Sequence, residues 1–333
     1  MQESDKREND MNLANNKREK TLNLSKLYDK YGVLIVFLLI FIISSFLSPT
    51  FIKTTNLLNV LRQISIVGIL SIGMTFVIVS GGIDLSVGSI IALVTVITAG
   101  MVNSYGIVPA IIIAVLIGAA VGLLNGLGIT MGKMQPFIMT LGMMAMVSGL
   151  AYMYSNGTPI MIKGGFLSIG NGFLFSVIPL PAVYFIALLG IAAFIIKNTV
   201  FGRYVYSIGS NQEATRLSGV NVNFAVIRVY VLSGVMAAIA GIIYASQMGI
   251  GTPVAGTGYE TKAITATIVG GASLMGGKGS LLGTFLGACI IGILSNIMNL
   301  TGVNPFVQQF LTGVIMVLAV LVRKPANKKS SIF

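Results

Sequence analysis

The 333-residue sequence contains no histidine, no tryptophan, one cysteine (Cys289) and only 9 acidic residues. Without histidine, the chain lacks the commonest proton shuttle and the commonest metal ligand. A single cysteine excludes an intramolecular disulfide, and its place in an apolar run predicts a packing role. No paired carboxylates appear in the sequence, and a histidine-based triad is excluded. We therefore expect neither a catalytic site nor a metal site.

Charge is also scarce, at 9% of residues, whereas 55% are hydrophobic and the mean hydropathy is +0.92. Soluble domains carry about 25% charged residues. Such a chain lacks the polar side chains to cover a water-facing surface, so we expect lipid to surround it. The composition predicts an all-α polytopic membrane protein, with one integral domain over residues 29–323.

Runs of apolar residues give the number of membrane spans, because a bilayer core requires about 20 apolar residues per helix. We count ten, and the eighth is short and rich in glycine, so nine is the alternative. An even number places both termini on one side, and the basic end of the chain assigns that side to the cytoplasm. The candidate spans are 31–47, 61–80, 86–103, 107–130, 136–156, 174–196, 224–247, 261–275, 279–300 and 304–322.

The net charge of +12 comes from Lys and Arg scattered among loops and concentrated at the ends. This distribution is typical of cytoplasmic loops rather than of a nucleic-acid surface, and we expect no nucleic-acid partner. Residues 1–28 are predicted to be a disordered cytoplasmic tail, and 324–333 a basic cytoplasmic tail. Alternation places 131–135 and 197–222 inside.

The same alternation places three loops outside, and Lys53 and Lys163 are the exceptions to the charge bias. These loops are 48–60, 157–173 and 248–260. Within the spans, Gly118, Gly122 and Gly126 recur every four residues on one helix face. Small residues let helices approach closely in lipid, so this spacing predicts helix–helix packing.

The polar stretch GSNQEATRLSGV, residues 209–220, lies between two apolar runs of membrane length. Ser210 and Glu213 fit a capping box, and Gly219 suits a left-handed helix end. The stretch predicts a helix of about two turns from Asn211 to Ser218.

An isolated helix this short is marginal in water. Ala214 and Leu217 lie three residues apart on one face. Two interpretations remain open from the residues alone: a partner docks on this helix, or the helix rests on its own protein.

Asp84, in SGGIDLSVGS at 80–89, is one of three acids after residue 30, with Glu213 and Glu260. A carboxylate at or near the membrane is costly and is therefore a functional candidate. We favour a structural role, in which Asp84 lies at the interface and caps a helix beginning near Leu85. Glu260 and Lys262 are expected to mark the interface at the start of the eighth span.

GGASLMGGKGS, residues 270–280, resembles a phosphate loop only superficially. A Walker A motif ending at Lys278 needs Gly at 272 and Ser or Thr at 279, where the chain has Ala272 and Gly279. The stretch also lies between apolar spans, without a preceding strand. We interpret it as a tight glycine turn with Lys278 at the cytoplasmic surface.

Many spans with few charges favour transport. A proton- or sodium-coupled carrier usually places ionisable groups near the midplane. The candidate pathway groups here are mostly neutral, with Asp84 as the acidic candidate, and they suit an uncharged, hydroxyl-rich solute moved by energy from elsewhere. The neutral candidates are Asn125, Gln247, Asn296, Asn299, Gln308 and Gln309.

From residue 30 to about 325 the chain resembles the sugar-permease family of bacterial ABC importers, the ribose permeases first, and also those that serve galactose, xylose and autoinducer-2. The motifs that carry the resemblance are GMTFVIVSGGIDLSVGSIIAL, GRYVYSIGSNQEATRLSGVNV and GTGYETKAITATIVGGASLMGGKGSLLGT, together with the NPF and LVRK end. The resemblance implies a multi-pass permease of the bacterial cytoplasmic membrane that pairs with a second copy or a paralogue. It also implies ABC ATPase subunits, which use ATP and Mg²⁺, and an extracytoplasmic sugar-binding protein.

In this family a cytoplasmic loop with an EAA…G pattern forms the helix that couples the permease to the ATPase. Glu213, Ala214 and Gly219 match the pattern, and Thr215 stands where a second Ala is usual. The resemblance therefore makes 197–222 the expected coupling loop, with Ser210, Arg216 and Leu217 beside the matching residues. It implies ribose as the solute; another monosaccharide or autoinducer-2 is an alternative, as is a stand-alone secondary carrier.

Overall fold

The computed structural model describes residues 31–322, so the predicted tails at 1–28 and 324–333 lie outside the described residues. Helices dominate this part of the chain. They are α1 (Tyr31–Leu47), α2 (Thr54–Val79), α3 (Val87–Tyr105), α4 (Ile107–Thr130), α5 (Pro136–Ser155), α6 (Leu167–Asn171), α7 (Leu180–Asn198), α8 (Val200–Ser210), α9 (Gln212–Leu217), α10 (Val222–Met248), α11 (Tyr259–Val269), α12 (Leu281–Leu300) and α13 (Pro305–Val322).

Between residues 31 and 322, 7 helices are long and apolar enough to cross a membrane: α2, α3, α4, α5, α7, α10 and α12. Helices α1 and α13 are apolar but shorter. The eighth predicted span is only the 11-residue α11. At 1.5 Å per residue it extends about 16 Å, half of a bilayer core of about 30 Å. The all-α polytopic prediction is confirmed, whereas the count of ten crossing helices is not.

Burial separates an inner group of helices from an outer one. The most apolar segment of α2 is 89% buried, and those of α3, α10 and α12 are 67–72% buried. The corresponding segments of α4, α5 and α7 are only 22–28% buried, although they are comparably apolar. Apolar faces that no protein covers are the surface expected against lipid.

Helices α4 and α10 approach closely through glycine. A side chain at Gly118 would collide with the carbonyl of Gly234, and one at Gly122 with the carbonyl of Tyr230. Gly126 likewise lies against Ile227. The prediction that these three glycines serve helix packing is confirmed, and it makes α4 and α10 a tightly joined pair.

Two sets of loops gather at opposite ends of the helices. At one end, Gly277 N–H donates to Val79 O over 2.8 Å. The Tyr206 hydroxyl donates to Gly279 O over 2.8 Å. The end of α2, helix α8 and the 270–280 turn therefore meet, as expected for segments assigned to one side. Which side faces the cytoplasm, and where the termini lie, stay predictions.

At the other end, the loops 157–173 and 248–260 pair through two short strands. β1 (Ile160–Met161) is antiparallel to β4 (Ile250–Gly251). A second antiparallel pair, β2 (Phe173–Leu174) with β3 (Ile178–Pro179), precedes α7. The pairing of β1 with β4 confirms that these two loops lie at the same end.

Candidate functional site

The exposed helix between α8 and α10 is the first candidate site. Thr199 caps α8, its hydroxyl accepting from Gly202 N–H over 3.2 Å. Helix α8 then continues through Ser210, whose hydroxyl bonds to Tyr206 O within its own helix. Asn211 is the residue that caps α9, because its Oδ1 accepts from Ala214 N–H over 2.9 Å.

The capping box predicted between Ser210 and Glu213 is therefore wrong. Its start is displaced by one residue, since α8 extends through Ser210 and leaves Asn211 in the extended conformation that a cap requires. Glu213 does not reach back to the cap. Its Oε2 lies 3.2 Å from Nη1 of Arg216 in an exposed ion pair. An exposed pair of this kind contributes little to stability.

Gly219 behaves as predicted at the other end of α9. Its φ is +85°, and its N–H donates to Arg216 O over 3.0 Å. Left-handed backbone closes the last turn of α9 and turns the chain toward α10. The helix itself is six residues, shorter than the expected eight.

Helix α9 presents nearly all of its side chains to the outside of the described protein. Thr215, 7% exposed, is its one buried residue and anchors it, with its hydroxyl on Asn211 O. Leu217 is 81% exposed. Ala214 and Arg216 are exposed as well. A single exposed leucine is ordinary on a protein surface, so the docking of a partner on α9 stays a prediction.

The predicted pathway residues do not form one cluster. Asp84 and Asn125 both bond to the Ser86 hydroxyl before the start of α3, and Asn299 bonds to Gln308 at the turn between α12 and α13. Asn296 pairs with a residue that the sequence did not single out, Asn56 of α2. Gln247 lies at the end of α10 beside α6, and Gln309 is exposed on α13.

Asp84 is wholly buried rather than at an interface. Its Oδ1 accepts from Ser86 N–H over 3.0 Å and from the Ser86 hydroxyl over 2.6 Å. Its Oδ2 accepts from the Ser233 hydroxyl over 2.8 Å. Helix α3 begins at Val87, two residues later than expected, so Asp84 orders the turn before the helix instead of capping its free N–H groups.

Ser86 lies in the same 80–89 stretch as Asp84 but was not singled out. Ser233 and Tyr230 were missed because they lie 149 positions from Asp84 and 147 positions from Ile83. Tyr230 donates its hydroxyl to Ile83 O over 3.2 Å. A signal was available: Ser233 interrupts an apolar run within the seventh predicted span, and a buried hydroxyl requires a partner.

The 270–280 stretch is a turn, as predicted. Gly271, Gly276 and Gly277 have positive φ, which glycine adopts without strain. Ser280 then caps α12, its hydroxyl accepting from Gly283 N–H over 3.0 Å. The turn lies against Gly209 of α8. Glu260 and Lys262 are both half-buried, and Glu260 lies against Gly88 near the start of α3. That these two residues mark the interface stays a prediction.

Residues 56–320 match a family described as "Branched-chain amino acid transport system / permease component". The chain belongs to this permease family. It is thus a multi-pass protein of the bacterial cytoplasmic membrane and a component of a transport system. No solved structure matches it.

Curated relatives resemble the permease over almost its whole length. It is 42% identical over 318 residues to "Ribose import permease protein RbsC" of Bacillus subtilis (strain 168), covering 94% of this chain and 97% of the relative. The protein of the same name in Haemophilus influenzae is 41% identical, covering 86% and 90% of the two chains. "L-arabinose transport system permease protein AraH" of Escherichia coli (strain K12) is 37% identical, covering 91% and 93%.

Proposed function

We propose that this permease is the transmembrane subunit of an ABC importer that moves a neutral sugar, ribose, into the cytoplasm. The observation that carries the proposal is the identity of 41–42% to permeases named for ribose import, across nearly the full length of both chains. A separate ATPase supplies the energy. The permease itself binds no nucleotide, and ATP and Mg²⁺ act at the partner.

Helix α9 is the contact through which the ATPase acts. Three features of α9 support this role: α9 is capped at both ends, it is joined directly to α8 and α10, and its Leu217 side chain is exposed. Short flanking connections make it a rigid projection rather than a loop. Closure of the ATPase pair would push this projection, and α10 would move with it, because only the residues 218–221 separate the two helices.

The interior of the permease suits an uncharged solute. Among residues 31–322, the buried polar side chains of α4, α10 and α12 are amides and hydroxyls, and the buried Asp84 is held by two serines. An interior in which these polar groups are neutral attracts ions less than one lined by unpaired charges. A second copy or a paralogue would complete the pathway, and an extracytoplasmic binding protein would deliver the sugar.

Reconstitution tests the proposal. The permease, its ATPase and its binding protein are placed in liposomes with ATP inside, and uptake of labelled ribose, L-arabinose and autoinducer-2 is measured. Uptake of ribose that requires ATP and both partners is expected. Preference for another solute would support the importer mechanism but identify a substrate other than ribose.

The second candidate function is a stand-alone secondary carrier, and liposomes containing the permease alone test it. Accumulation of ribose driven by an ion or solute gradient, with no ATPase present, would favour the carrier and exclude the importer.

A further inference from the structure

The turn before α3 holds a carboxylate deep inside the protein. Asp84 has no exposed surface, and within the described residues the one ion pair is that of Arg216 with Glu213, far along the chain. Three hydrogen bonds, from the Ser86 N–H, the Ser86 hydroxyl and the Ser233 hydroxyl, stabilise the carboxylate instead. Burying a carboxylate in a membrane protein is costly, so a function that requires it is expected here.

Two helices hold this turn from different sides. Helix α10 contributes Ser233 and also Tyr230, whose hydroxyl bonds to Ile83 O. Helix α4 contributes Asn125, whose Nδ2 donates to the Ser86 hydroxyl over 2.9 Å. Because α4 and α10 pack through glycine, they hold the turn as one body.

Helix α10 starts directly after the proposed coupling helix, α9. Asn221 caps α10, its Oδ1 accepting from Phe224 N–H over 3.0 Å, directly after the α9 turn. The distance along the helix axis from Val222 to Ser233 is about 16 Å of uninterrupted helix. A displacement of α9 would therefore be transmitted to Ser233 along the continuous helix α10.

Beyond the turn, α3 contacts the short helix α11. Gly88, near the start of α3, lies against the Glu260 carboxylate and Gly256 O, so no side chain fits there. Movement of the α3 start would be passed to α11, a helix too short to cross the membrane, which is the kind of element that lines a pathway.

We propose that Asp84 is a positioning residue that ties the start of α3 to α10, so that displacement of α9 reorients α3 and, through the contact of Gly88 with Glu260, α11. A carboxyl group suits this role because one of its oxygens accepts from Ser86 while the other accepts from Ser233. The proposal rests on the proposed function, since it requires an ATPase that moves α9.

The test uses the complete importer in liposomes and measures sugar molecules taken up per ATP hydrolysed. Ser233→Ala removes only the hydroxyl between Asp84 and α10. We expect this ratio to fall several-fold while ATP hydrolysis continues, because α10 then moves without its hydrogen bond to Asp84. Ser155→Ala is the matched control, because the Ser155 hydroxyl is buried and bonds only to carbonyls of its own helix. Its ratio should stay at the wild-type value.

Variants at Asp84 separate positioning from mere stability. Asp84→Asn keeps an oxygen for Ser86 and an amide for Ser233. Its ratio of sugar taken up to ATP hydrolysed should therefore stay closer to the wild-type value than that of Asp84→Ala. The double variant Asp84→Ala with Ser233→Ala should be no worse than Asp84→Ala alone. Should Asp84→Ala fail to reach the membrane, Ser233→Ala against Ser233→Thr, which keeps a hydroxyl, gives the same comparison.

The outcomes distinguish this proposal from the one on which it rests. If wild-type importer shows no ATP-dependent uptake, the proposed function fails. If wild-type uptake is normal and Ser233→Ala lowers only the unfolding temperature, with the ratio of sugar to ATP unchanged, Asp84 is structural and the positioning role is overturned.

Discussion

Asn56 of α2 and Asn296 of α12 face each other inside the protein and exchange two hydrogen bonds, each Nδ2 donating to the other's Oδ1 over 2.9–3.0 Å. Both side chains are buried, and Asn56 also donates to Phe51 O over 2.9 Å. The pair therefore joins two inner helices, and Asn296 has little capacity left for a passing solute.

Asn296→Leu should destabilise the permease, because it leaves the Asn56 amide buried with an unpaired donor and acceptor. The expected loss is about 1–3 kcal/mol. Thermal unfolding followed by a thiol-reactive dye suits the measurement, since the single cysteine, Cys289, is buried until the fold opens.

The double variant Asn56→Leu with Asn296→Leu should lose less than the sum of the two single variants, because neither amide is then left without its partner. Asn299→Leu is the control: its partner Gln308 is only partly buried and can turn to water. Strictly additive losses at 56 and 296 would contradict the pairing.

Gly122→Ala should weaken the contact between α4 and α10. A methyl group there would meet the backbone carbonyl of Tyr230, which cannot move aside as a flexible side chain could. We expect a loss of about 1–3 kcal/mol, the usual cost of overpacking. The unfolding temperature of the lone permease in detergent measures it.

Gly149→Ala is the matched control for Gly122. Gly149 also lies within a long helix, α5, but nothing lies within 4 Å of the position that a methyl group would take. Alanine there should be neutral, or stabilising by about 0.5–1 kcal/mol. Equal losses at both positions would show that helix geometry, rather than the approach of α10, makes glycine necessary at 122.

The sequence is sufficient to predict most of the helices, because long apolar runs have few alternatives in a membrane. Helix α4 lies at its predicted bounds, Ile107–Thr130. Glycine spacing on the same run also predicts its packing face. Both properties are local, so a single segment of sequence contains the information needed.

Properties that depend on distant residues are not predictable in the same way. Asn296 is a pathway candidate on sequence alone because nothing near it in the chain indicates a partner. That partner, Asn56, lies 240 positions away and before the predicted start of the second span. Asp84 is expected at an interface because the burial of its turn by α4 and α10 is visible only in three dimensions. At α9 the error is one residue, since nothing local stops α8 before Ser210.

The corrected cap of α9 gives a prediction of its own. Asn211→Ala should loosen the helix, because Ala214 N–H loses its acceptor, whereas Ser210→Ala should change little. Loss of a cap costs about 0.5–2 kcal/mol, so amide exchange over residues 212–218 should accelerate about two- to thirtyfold. Mass spectrometry of hydrogen exchange measures it, with Asn211→Asp, which keeps an acceptor, as the control. A larger effect from Ser210→Ala would favour Ser210 as the cap.

The coupling role of α9 depends on its two ends staying fixed. Gly219 has a φ of +85°, and nothing lies within 4 Å of the position that a Cβ atom would take, so Gly219→Ala strains the backbone without a collision. Combined with Glu213→Ala, it should abolish ATP-driven uptake and the stimulation of ATP hydrolysis by the loaded binding protein. The amount of permease in the membrane should stay unchanged.

Gly302 provides the control for this strain. It has a φ of +71°, equally open surroundings, and a place in the turn between α12 and α13 rather than beside α9. Gly302→Ala should therefore cost similar stability, about 1 kcal/mol, and leave the coupling of ATP hydrolysis to uptake intact. Because Gly219→Ala and Gly302→Ala impose a similar backbone penalty, a difference in coupling between these two single variants comes from their location. Normal coupling in the Glu213 and Gly219 double variant would exclude α9 from the mechanism. Loss of coupling in Gly302→Ala would implicate the turn between α12 and α13 instead.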